Sequence, residues 1–343
     1  MAKRIVGIDI DSSGIRTAVL ARKGRNKVVT ELNSMPLPEG VVVDGKVANP
    51  KKLTEALELL VEEADLYEES TVLGVRSNWV TVKTHKLPNM SRKELDKALE
   101  FEIPELVSFP VESTRDVCFD YFVNTKSGDD VELVLVACPR ENLNPYIEAI
   151  RSAGLVLESI DVPAFGWREL LDTGDERAYV EIGEEQTTVQ VILDGVFKVL
   201  RVVPVGASHI RKGVQEAFEC SEEQAKDLCE NHDIDYLLTE GTGNMRSLSG
   251  SIQQFAGSVL QTLDFVRAQE RATNFRAMLG EVVLVGRMAD LPGIAEMLQK
   301  DMDIDIRPLK AIDNLKVDFD LMRPEGFSGY GSAIALGLRG LDL

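Results

Sequence analysis

The side chains that most often carry metal or nucleophilic chemistry are few in this sequence and lie far apart. They are His85, His209 and His232, together with Cys118, Cys138, Cys220 and Cys229. Cys220 and Cys229 are nine residues apart, which would place them on opposite faces of a helix. None of these spacings is typical of a zinc site or of a Ser-His-Asp triad. We expect reduced, buried thiols, as in the cytosol, although Cys118 and Cys138 could meet across a hairpin.

Two acidic turns are stronger candidates for a site. The first is Asp9–Ser13, which follows a strand with alternating apolar residues, and the second is Glu181–Thr187 in the other half of the chain. Each turn joins two strands of a β-meander, so the sequence predicts an internal duplication. Two simpler interpretations stay open. The aspartates of the first turn could merely cap it, and Glu184-Glu185 could be a solvated loop.

Hydrophobic periodicity places these turns in a mixed α/β chain. The two meanders cover residues 4–33 and 179–203. Helices are predicted from Asn49-Pro50, from the capping box that begins at Ser91, over 142–153, over 208–218, after Ser221, over 249–279, over 292–302 and over 330–338. The helix that begins at Ser91 should end at Pro104, which cannot donate a backbone hydrogen bond. Residues 80–157 have the order β-α-β-β-α, which predicts a small module inserted in a larger domain.

The composition is that of a water-soluble globular protein with an acidic surface. The chain has 343 residues, of which 44% are hydrophobic and 28% charged, and this length predicts two or three domains. A net charge of −19 argues against a surface that embraces nucleic acid or anionic lipid. The apolar run 133–138 is only strand-sized, and Asp9 interrupts the first apolar stretch. We therefore expect a cytoplasmic protein without a membrane span or secretory signal.

The duplicated meander with its acidic turns resembles the actin-like superfamily. Further segments resemble the PilM family of type IV pilus assembly proteins over essentially the whole chain; they are 37–45, 87–95, Glu102, Ser108-Phe109-Pro110, Gly154-Leu155, 160–162 and 336–340. The Leu-Pro-x-Met segment at 87–90, with Phe109-Pro110 after it, is the most specific of them. The resemblance implies an α/β, actin-like (ribonuclease H-like) two-lobe fold with duplicated β-meander lobes and an inserted 1C-type module.

The same resemblance implies a division of the chain. Lobe 1 (subdomain 1A) would comprise 1–79, completed by about 158–175 and by the C-terminal helix, and 80–157 would be the inserted 1C-like module. The remaining parts are lobe 2 (2A) in 176–207, a mostly helical 2B in 208–279, and the completion of 2A with the C-terminal helix in 280–343.

Membership of this family would make the chain a cytoplasmic scaffold of the pilus inner-membrane platform. The resemblance implies binding of the N-terminal tail of a PilN-like membrane protein in a groove of the first lobe, and contact with the pilus motor ATPase or a platform protein. Self-association is compatible with it, whereas nucleic-acid binding and direct membrane insertion are not expected. Phe109, Phe119 and Tyr121 are the candidates to line the groove, although each could equally be core and Phe109-Pro110 could be a packing pair. The apolar stripe from Ile252 to Val266 is better explained as core than as a partner groove.

The actin-like resemblance also implies a nucleotide between the two lobes. The matching phosphate-binding residues are Asp9, Asp11, Ser12, Ser13, Arg16, Glu181, Gly183 and Thr187, and those of the adenosine segment are Gly286 and Arg287. Asp9 and Glu181 would hold Mg²⁺ if ATP binds.

Three of these segments depart from the family pattern. Asp11 replaces a glycine of the first turn, Glu181 replaces an aspartate of the second, and Arg287 and Met288 replace glycines of the adenosine segment. A carboxylate beside phosphate is repulsive, and side chains fill space that only glycine leaves open. The sequence therefore predicts low or absent affinity for ATP and Mg²⁺, unless Arg16 or Arg287 pairs with phosphate.

Two other classes of function remain open at the level of sequence. One is an actin-like or sugar-kinase-like enzyme that transfers or hydrolyses phosphate, although no motif names the general base that such chemistry needs. The other is a filament-forming protein like FtsA.

Overall fold

The computed structural model describes residues 4–76, 79–171, 176–312, 315, 317–320 and 326–343. The last four residues of the predicted 158–175 segment therefore lie outside the described residues. Among the described residues, no helix is long and apolar enough to cross a membrane.

The predicted strands and helices are present in the predicted order, whereas the short elements at 42–43, 46–47, 164–167, 234–239 and 318–319 were not predicted. The strands are β1 (Arg4–Asp11), β2 (Gly14–Lys23), β3 (Asn26–Pro36), β4 (Val42–Val43), β5 (Lys46–Val47), β6 (Ser70–Gly74), β7 (Thr81–Pro88), β8 (Val117–Ser127), β9 (Asp130–Pro139), β10 (Val156–Asp161), β11 (Arg177–Ile182), β12 (Thr187–Leu193), β13 (Val196–Val203), β14 (Glu281–Gly286), β15 (Ile306–Pro308) and β16 (Asp318–Phe319). The helices are α1 (Pro50–Glu63), α2 (Arg92–Leu106), α3 (Arg140–Ser152), α4 (Ala164–Trp167), α5 (Ala207–Phe218), α6 (Glu222–Asn231), α7 (Ile234–Thr239), α8 (Met245–Gln269), α9 (Ile294–Met302) and α10 (Gly331–Leu341).

Two lobes are built on the same arrangement of strands. In lobe 1 the antiparallel meander β1-β2-β3 is extended by β6, parallel to β1, to give the order β10-β6-β1-β2-β3-β16. In lobe 2 the meander β11-β12-β13 is extended by β14, parallel to β11, to give β13-β12-β11-β14-β15. Both acidic turns thus lie at the same end of equivalent strands, and the predicted duplication is confirmed.

The C-terminal helix joins the two lobes. α10 is buried along nearly its whole length and packs on β1 and β2, and it also contacts β14 of lobe 2. Trp167 is fully buried beside it, and its indole Nε1 donates to Ser332 Oγ at 3.1 Å. One helix common to both lobes therefore packs against strands of both sheets that lead to the acidic turns.

A separate three-stranded sheet, in the order β7-β9-β8, carries α2 on one face and has a core of its own. α3 begins directly after β9, and its Leu143, Tyr146 and Ile150 are buried with α1 in the core of lobe 1. The core that the three-stranded sheet shares with α2 contains buried residues from Leu87 to Ala137.

The C-terminal ends of α2 and α8 differ from the sequence prediction. α2 continues past Pro104 to Leu106, because a proline near a helix end removes only one hydrogen bond and the amide of Val107 still donates to Ile103 O at 3.1 Å. α8 stops at Gln269 rather than near 279, because Arg271 takes a left-handed conformation and the Ala272 amide donates to Arg267 O at 3.0 Å. A Schellman ending usually carries glycine where this chain has Arg271, so no residue signals this ending in the sequence.

Candidate functional sites: an ionic cleft and an apolar groove

The turn between β1 and β2 binds its own carboxylate. Asp11 Oδ1 accepts from the amide of Ser13 at 2.9 Å, from the Ser13 hydroxyl at 2.9 Å and from the amide of Gly14 at 3.1 Å. Converging amide and hydroxyl donors of this kind form a pocket for an anion. Here the anion is the side chain of the turn itself.

The turn between β11 and β12 is closed on itself in a different way. The amide of Gly183 donates to Gln186 O at 3.0 Å, and the carbonyl of Gly183 accepts from Ala207 at 2.8 Å. Glu184 O accepts from the amide of Ser208 at 2.9 Å and from its hydroxyl at 2.8 Å. This second turn is therefore fastened to the start of α5, and the Gly183 amide is already used within it.

Arg287 crosses from lobe 2 to the first turn. Its Nε lies 3.0 Å from Asp11 Oδ2 and its Nη2 lies 2.9 Å from Asp11 Oδ1, a two-pronged pair, and Nε is also 3.4 Å from Glu184 Oε2. The preceding Gly286 has φ +96°, and a Cβ there would meet Ile182 O at 2.5 Å. The glycine lets the chain turn tightly after β14, and that turn aims Arg287 across the cleft.

Arg76 crosses in the opposite direction, from the end of β6 in lobe 1. It pairs with Asp9 of its own lobe, and its Nη1 lies 2.6 Å from Glu181 Oε1 of lobe 2. Glu181 also accepts from Ser332 Oγ at 2.7 Å. Sequence reasoning missed Arg76. Its signal was its position just after β6, because the carboxyl ends of adjacent parallel strands meet at one edge of a sheet.

The pKa values reflect this pairing. Burial would raise the pKa of Asp11, but the attraction and hydrogen bonds of Arg287, with the charges of Arg16 and Arg76, outweigh it and lower the pKa to about 2. Burial lowers the pKa of Arg76, yet Asp9 and Glu181 raise it above its ordinary value. Burial keeps the pKa of Glu181 raised in spite of Arg76. Asp11 is therefore the firmly ionised acid of the cleft.

Asp11→Asn should reduce stability in a pH-dependent way. The folded pKa is depressed from 3.8 to about 2, so the ionised carboxylate stabilises the fold above about pH 4, and this contribution is lost as pH falls toward about 2. At 1.36 kcal/mol per unit the loss near neutral pH should be about 2 kcal/mol. Urea unfolding at several pH values measures it. Asp301→Asn, on the exposed surface of α9, is the control. A wild-type to Asp11→Asn difference that stays constant down to pH 2 would contradict the assignment.

The residues present do not suit a magnesium nucleotide. The two predicted metal ligands, Asp9 and Glu181, are both engaged by Arg76, and the donors of the first turn are taken by Asp11. Among the described residues, no group of three or more His, Cys, Asp or Glu side chains could hold a metal ion. Met288 does not crowd the cleft, because it is buried in the core of lobe 2.

Most of the other predicted nucleotide residues meet at this cleft. Arg16 lies 3.9 Å from Asp11 and rests over the ring of Tyr330, with its guanidinium carbon 5.8 Å from the ring centre. Burial raises the pKa of Glu185, which the Ser12 hydroxyl lowers, so the two turns lie close to each other. Thr187 is turned away, because its hydroxyl donates to Val205 O at 2.6 Å.

A second site is a cavity of about 740 Å³ between the inserted module and lobe 1. Its walls are formed by the edge strand β8 of the module, by the edge strand β10 of the lobe, and by the end of the chain; they include Cys118–Phe122, Val136, Cys138, Ser159–Val162, Phe165, Glu169, Arg339, Asp342 and Leu343. We call this cavity the module groove. Two sheet edges face it, so an extended chain could form backbone hydrogen bonds there.

The predicted groove residues divide between this cavity and the core. Phe119 and Tyr121 line the module groove, and Tyr121 is also anchored by its hydroxyl, which donates to Asp96 Oδ1 at 2.7 Å. Phe109 is not among the lining residues and packs against the module core. Phe122 and Phe165 line the groove and were not predicted. Phe122 stands edge-on to Phe165 with ring centres 5.3 Å apart, and 41% of it is exposed.

The module groove is tied to lobe 2 as well. The side chain of Asn124 on β8 donates to Phe197 O at 2.9 Å and accepts from the Phe197 amide at 2.9 Å. Phe197 in turn lies edge-on to Phe165 with ring centres 6.0 Å apart. The position of the module is therefore set by both lobes.

The two lobes, their shared helix and the acidic turns define the class of protein. The chain superposes on MreB5 of Spiroplasma citri bound to ADP with a TM-score of 0.50 at 10% identity, covering 99% of this chain and 98% of that one. It superposes on the ethanolamine utilization protein EutJ from Carboxydothermus hydrogenoformans with a TM-score of 0.54 at 14% identity, covering 98% and 89%. The fold is therefore that of the actin-like proteins.

Within that class the family is defined by sequence. The family model for the type IV pilus assembly protein PilM matches residues 7–339, so the chain belongs to the PilM family. A solved PilM-PilN type IV pilus biogenesis complex is similar, with a TM-score of 0.79, 21% identity and 98% coverage of both chains. The cell division protein FtsA of Neisseria meningitidis serogroup B is 21% identical over 308 residues, which cover 77% of this chain and 73% of FtsA.

Proposed function

We propose that this PilM-family chain is a cytoplasmic scaffold of the type IV pilus platform that binds the N-terminal tail of a PilN-like membrane protein in the module groove. The observation that carries the proposal is the groove itself, an apolar cavity bounded by two sheet edges in a fold similar to that of a PilM-PilN complex. Such a partner would hold the chain at the inner membrane. A link from this scaffold to the pilus motor belongs to the same proposal.

The groove suits an extended peptide with apolar anchors. Phe119, Phe122 and Phe165 provide aromatic surface, and short peptides gain most of their affinity from a few buried side chains. Backbone groups of β8 or β10 would supply directional hydrogen bonds along the peptide, as in other strand-addition complexes.

The net charge of the protein favours a basic tail. It is −19, and four acids and two arginines line the groove: Asp120, Asp161, Glu169, Asp342, Arg140 and Arg339. Each of the four acids already pairs with a lysine or an arginine, so the favourable field comes from the net charge and not from an unpaired acid of the groove. Cytoplasmic segments next to a membrane span are rich in Lys and Arg, so an acidic receptor would increase the association rate at low salt.

Phe122→Ala should weaken tail binding by about tenfold, because it removes most of one aromatic anchor. The assay is fluorescence anisotropy with a labelled peptide from the N-terminus of the cognate membrane protein. Phe101→Ala is the matched control, since Phe101 is in the same module, is 87% exposed and does not line the groove. Equal weakening by both variants, or no binding to the wild type at low salt, would refute the proposal.

The native cysteines give an independent measurement. Cys118 lines the groove, whereas Cys220 does not line it and belongs to lobe 2; both are partly exposed. A bound tail should slow alkylation of Cys118 and leave that of Cys220 unchanged. Burial raises the pKa of Cys118, so the reaction is best followed at alkaline pH.

A further inference from the structure

Four arginines and the four carboxylates that pair with them lie at the cleft between the two acidic turns. They are Asp9, Asp11, Glu181 and Glu184, with Arg16, Arg76, Arg211 and Arg287. The set is neutral in sum, and each carboxylate has at least one arginine partner. A buried, balanced set of this kind is stable only while its members stay together.

We propose that Arg76 and Arg287, with Asp9, Asp11, Glu181 and Glu184, form a resident clamp that closes the two lobes in place of a magnesium nucleotide. We call these six residues the ionic clamp. The proposal of an ionic clamp is independent of the proposal of tail binding, because no residue of the clamp lines the module groove.

The ionic clamp places an anion and a cation where a magnesium nucleotide would place its phosphate and its metal ion. The Asp11 carboxylate occupies the amide and hydroxyl donors of the first turn, at 2.9 to 3.1 Å, as an oxygen of phosphate would. Arg76 lies between Asp9 and Glu181, the carboxylates that would hold a cation. One resident anion and one resident cation thus fill the positions that a metal phosphate requires.

The clamp crosses the cleft twice, and the two crossings run in opposite directions. Arg287 extends from lobe 2 to Asp11 of lobe 1, while Arg76 extends from lobe 1 to Glu181 of lobe 2. Opening the lobes would separate both pairs, leaving Glu181 without Arg76 and Asp11 with only the more distant Arg16 at 3.9 Å. Closure is therefore built into the chain and needs no ligand.

A nucleotide would have to break this arrangement before binding. It would displace Asp11 from the donors of the first turn and Arg76 from both candidate metal ligands, and it would add negative charge to a balanced set. The ionic clamp consequently predicts that Mg·ATP neither binds the wild type appreciably nor alters its closure.

Hydrogen exchange of the full chain tests closure. Arg287→Ala should increase exchange of the turn peptides around 11–14 and 183–186 by about tenfold, while β11 and β12 stay protected if the lobe is folded. Arg307→Ala is the matched control, because Arg307 pairs with Glu281 inside lobe 2 and crosses no cleft. Glu184→Gln is a milder second variant if Arg287→Ala does not fold. Unchanged exchange in both turns in the clamp variants would overturn the proposal.

Mg·ATP is the second arm of the test. Addition of millimolar Mg·ATP should leave exchange at both turns of the wild type unchanged, whereas Asp11→Gly with Arg287→Gly should gain affinity by about tenfold or more, as measured by calorimetry. Protection of the wild-type turns by Mg·ATP, or equal affinity in wild type and double variant, would show that the clamp does not replace a nucleotide. Neither result would bear on tail binding.

Discussion

Gly7→Ala should lower the free energy of unfolding by about 3 kcal/mol, at the upper end of what overpacking costs. Gly7 lies in β1, the strand on which α10 packs. A Cβ on it would meet Ala333 O at 1.9 Å and the Gly337 amide nitrogen at 2.6 Å. Both obstacles are backbone atoms of α10, so no side-chain rotation relieves the clash. The helix would have to move away from the sheet.

Urea unfolding followed by circular dichroism measures this effect, and Gly257→Ala is its control. Gly257 is an exposed residue of α8, and a Cβ there meets nothing within 4 Å. Alanine should stabilise that helix position by about 0.5 to 1 kcal/mol. A decrease in the free energy of unfolding for Gly7→Ala and an increase for Gly257→Ala would show that contact with α10 causes the loss. If Gly7→Ala is as stable as the wild type, the packing of α10 on β1 is looser than described.

The fold was largely predictable because its signals are local and repeated. Alternation of apolar residues identified both meanders, Asn49-Pro50 and Ser91 marked the starts of α1 and α2, and the chain order then gave the two lobes. The end of α8 was not predictable, since Arg271 adopts the conformation that glycine usually takes.

The residues of the cleft could largely be predicted from the sequence, but the ion pairs between them could not. From the sequence alone, Asp11 departs from the family pattern, and its carboxylate is expected to repel a phosphate. The structure gives it a different role, because the donors of its own turn and Arg287 surround it. Such pairing depends on residues 276 positions apart in the chain, which no local pattern links.

The groove residues illustrate the same limit. Phe109, Phe119 and Tyr121 were chosen as aromatic residues of one module, but Phe109 precedes β8 and packs against the module core. Because β8 is an edge strand, residues on both of its faces reach the cavity, and Cys118–Phe122 all line it. The same edge position brings Phe122 to Phe165, a contact between the module and lobe 1.

Arg76→Met should lower the free energy of unfolding by about 3 to 5 kcal/mol, because it leaves Asp9 and Glu181 buried without their shared cation. Methionine retains most of the apolar stem of arginine, so the loss reports the charge. Urea unfolding measures it. Arg307→Met is the matched control and should cost less than about 1 kcal/mol, since Arg307 is half-exposed and Glu281 keeps Arg177 at 2.7 Å.

Neutralising the stranded acids should restore part of this loss. Adding Asp9→Asn and Glu181→Gln to Arg76→Met should recover about 2 kcal/mol, because the desolvation penalty of two carboxylates disappears. Burial already raises the pKa of Glu181, and Arg76→Met removes the charge that opposes this rise, so the folded single variant binds a proton at Glu181 more strongly than the unfolded chain does. The stability lost in Arg76→Met should therefore be larger at about pH 8 than at about pH 5. A deficit that is independent of pH and unaffected by the neutral partners would mean that Arg76 acts through packing alone, and would remove one of the two crossings on which lobe closure depends.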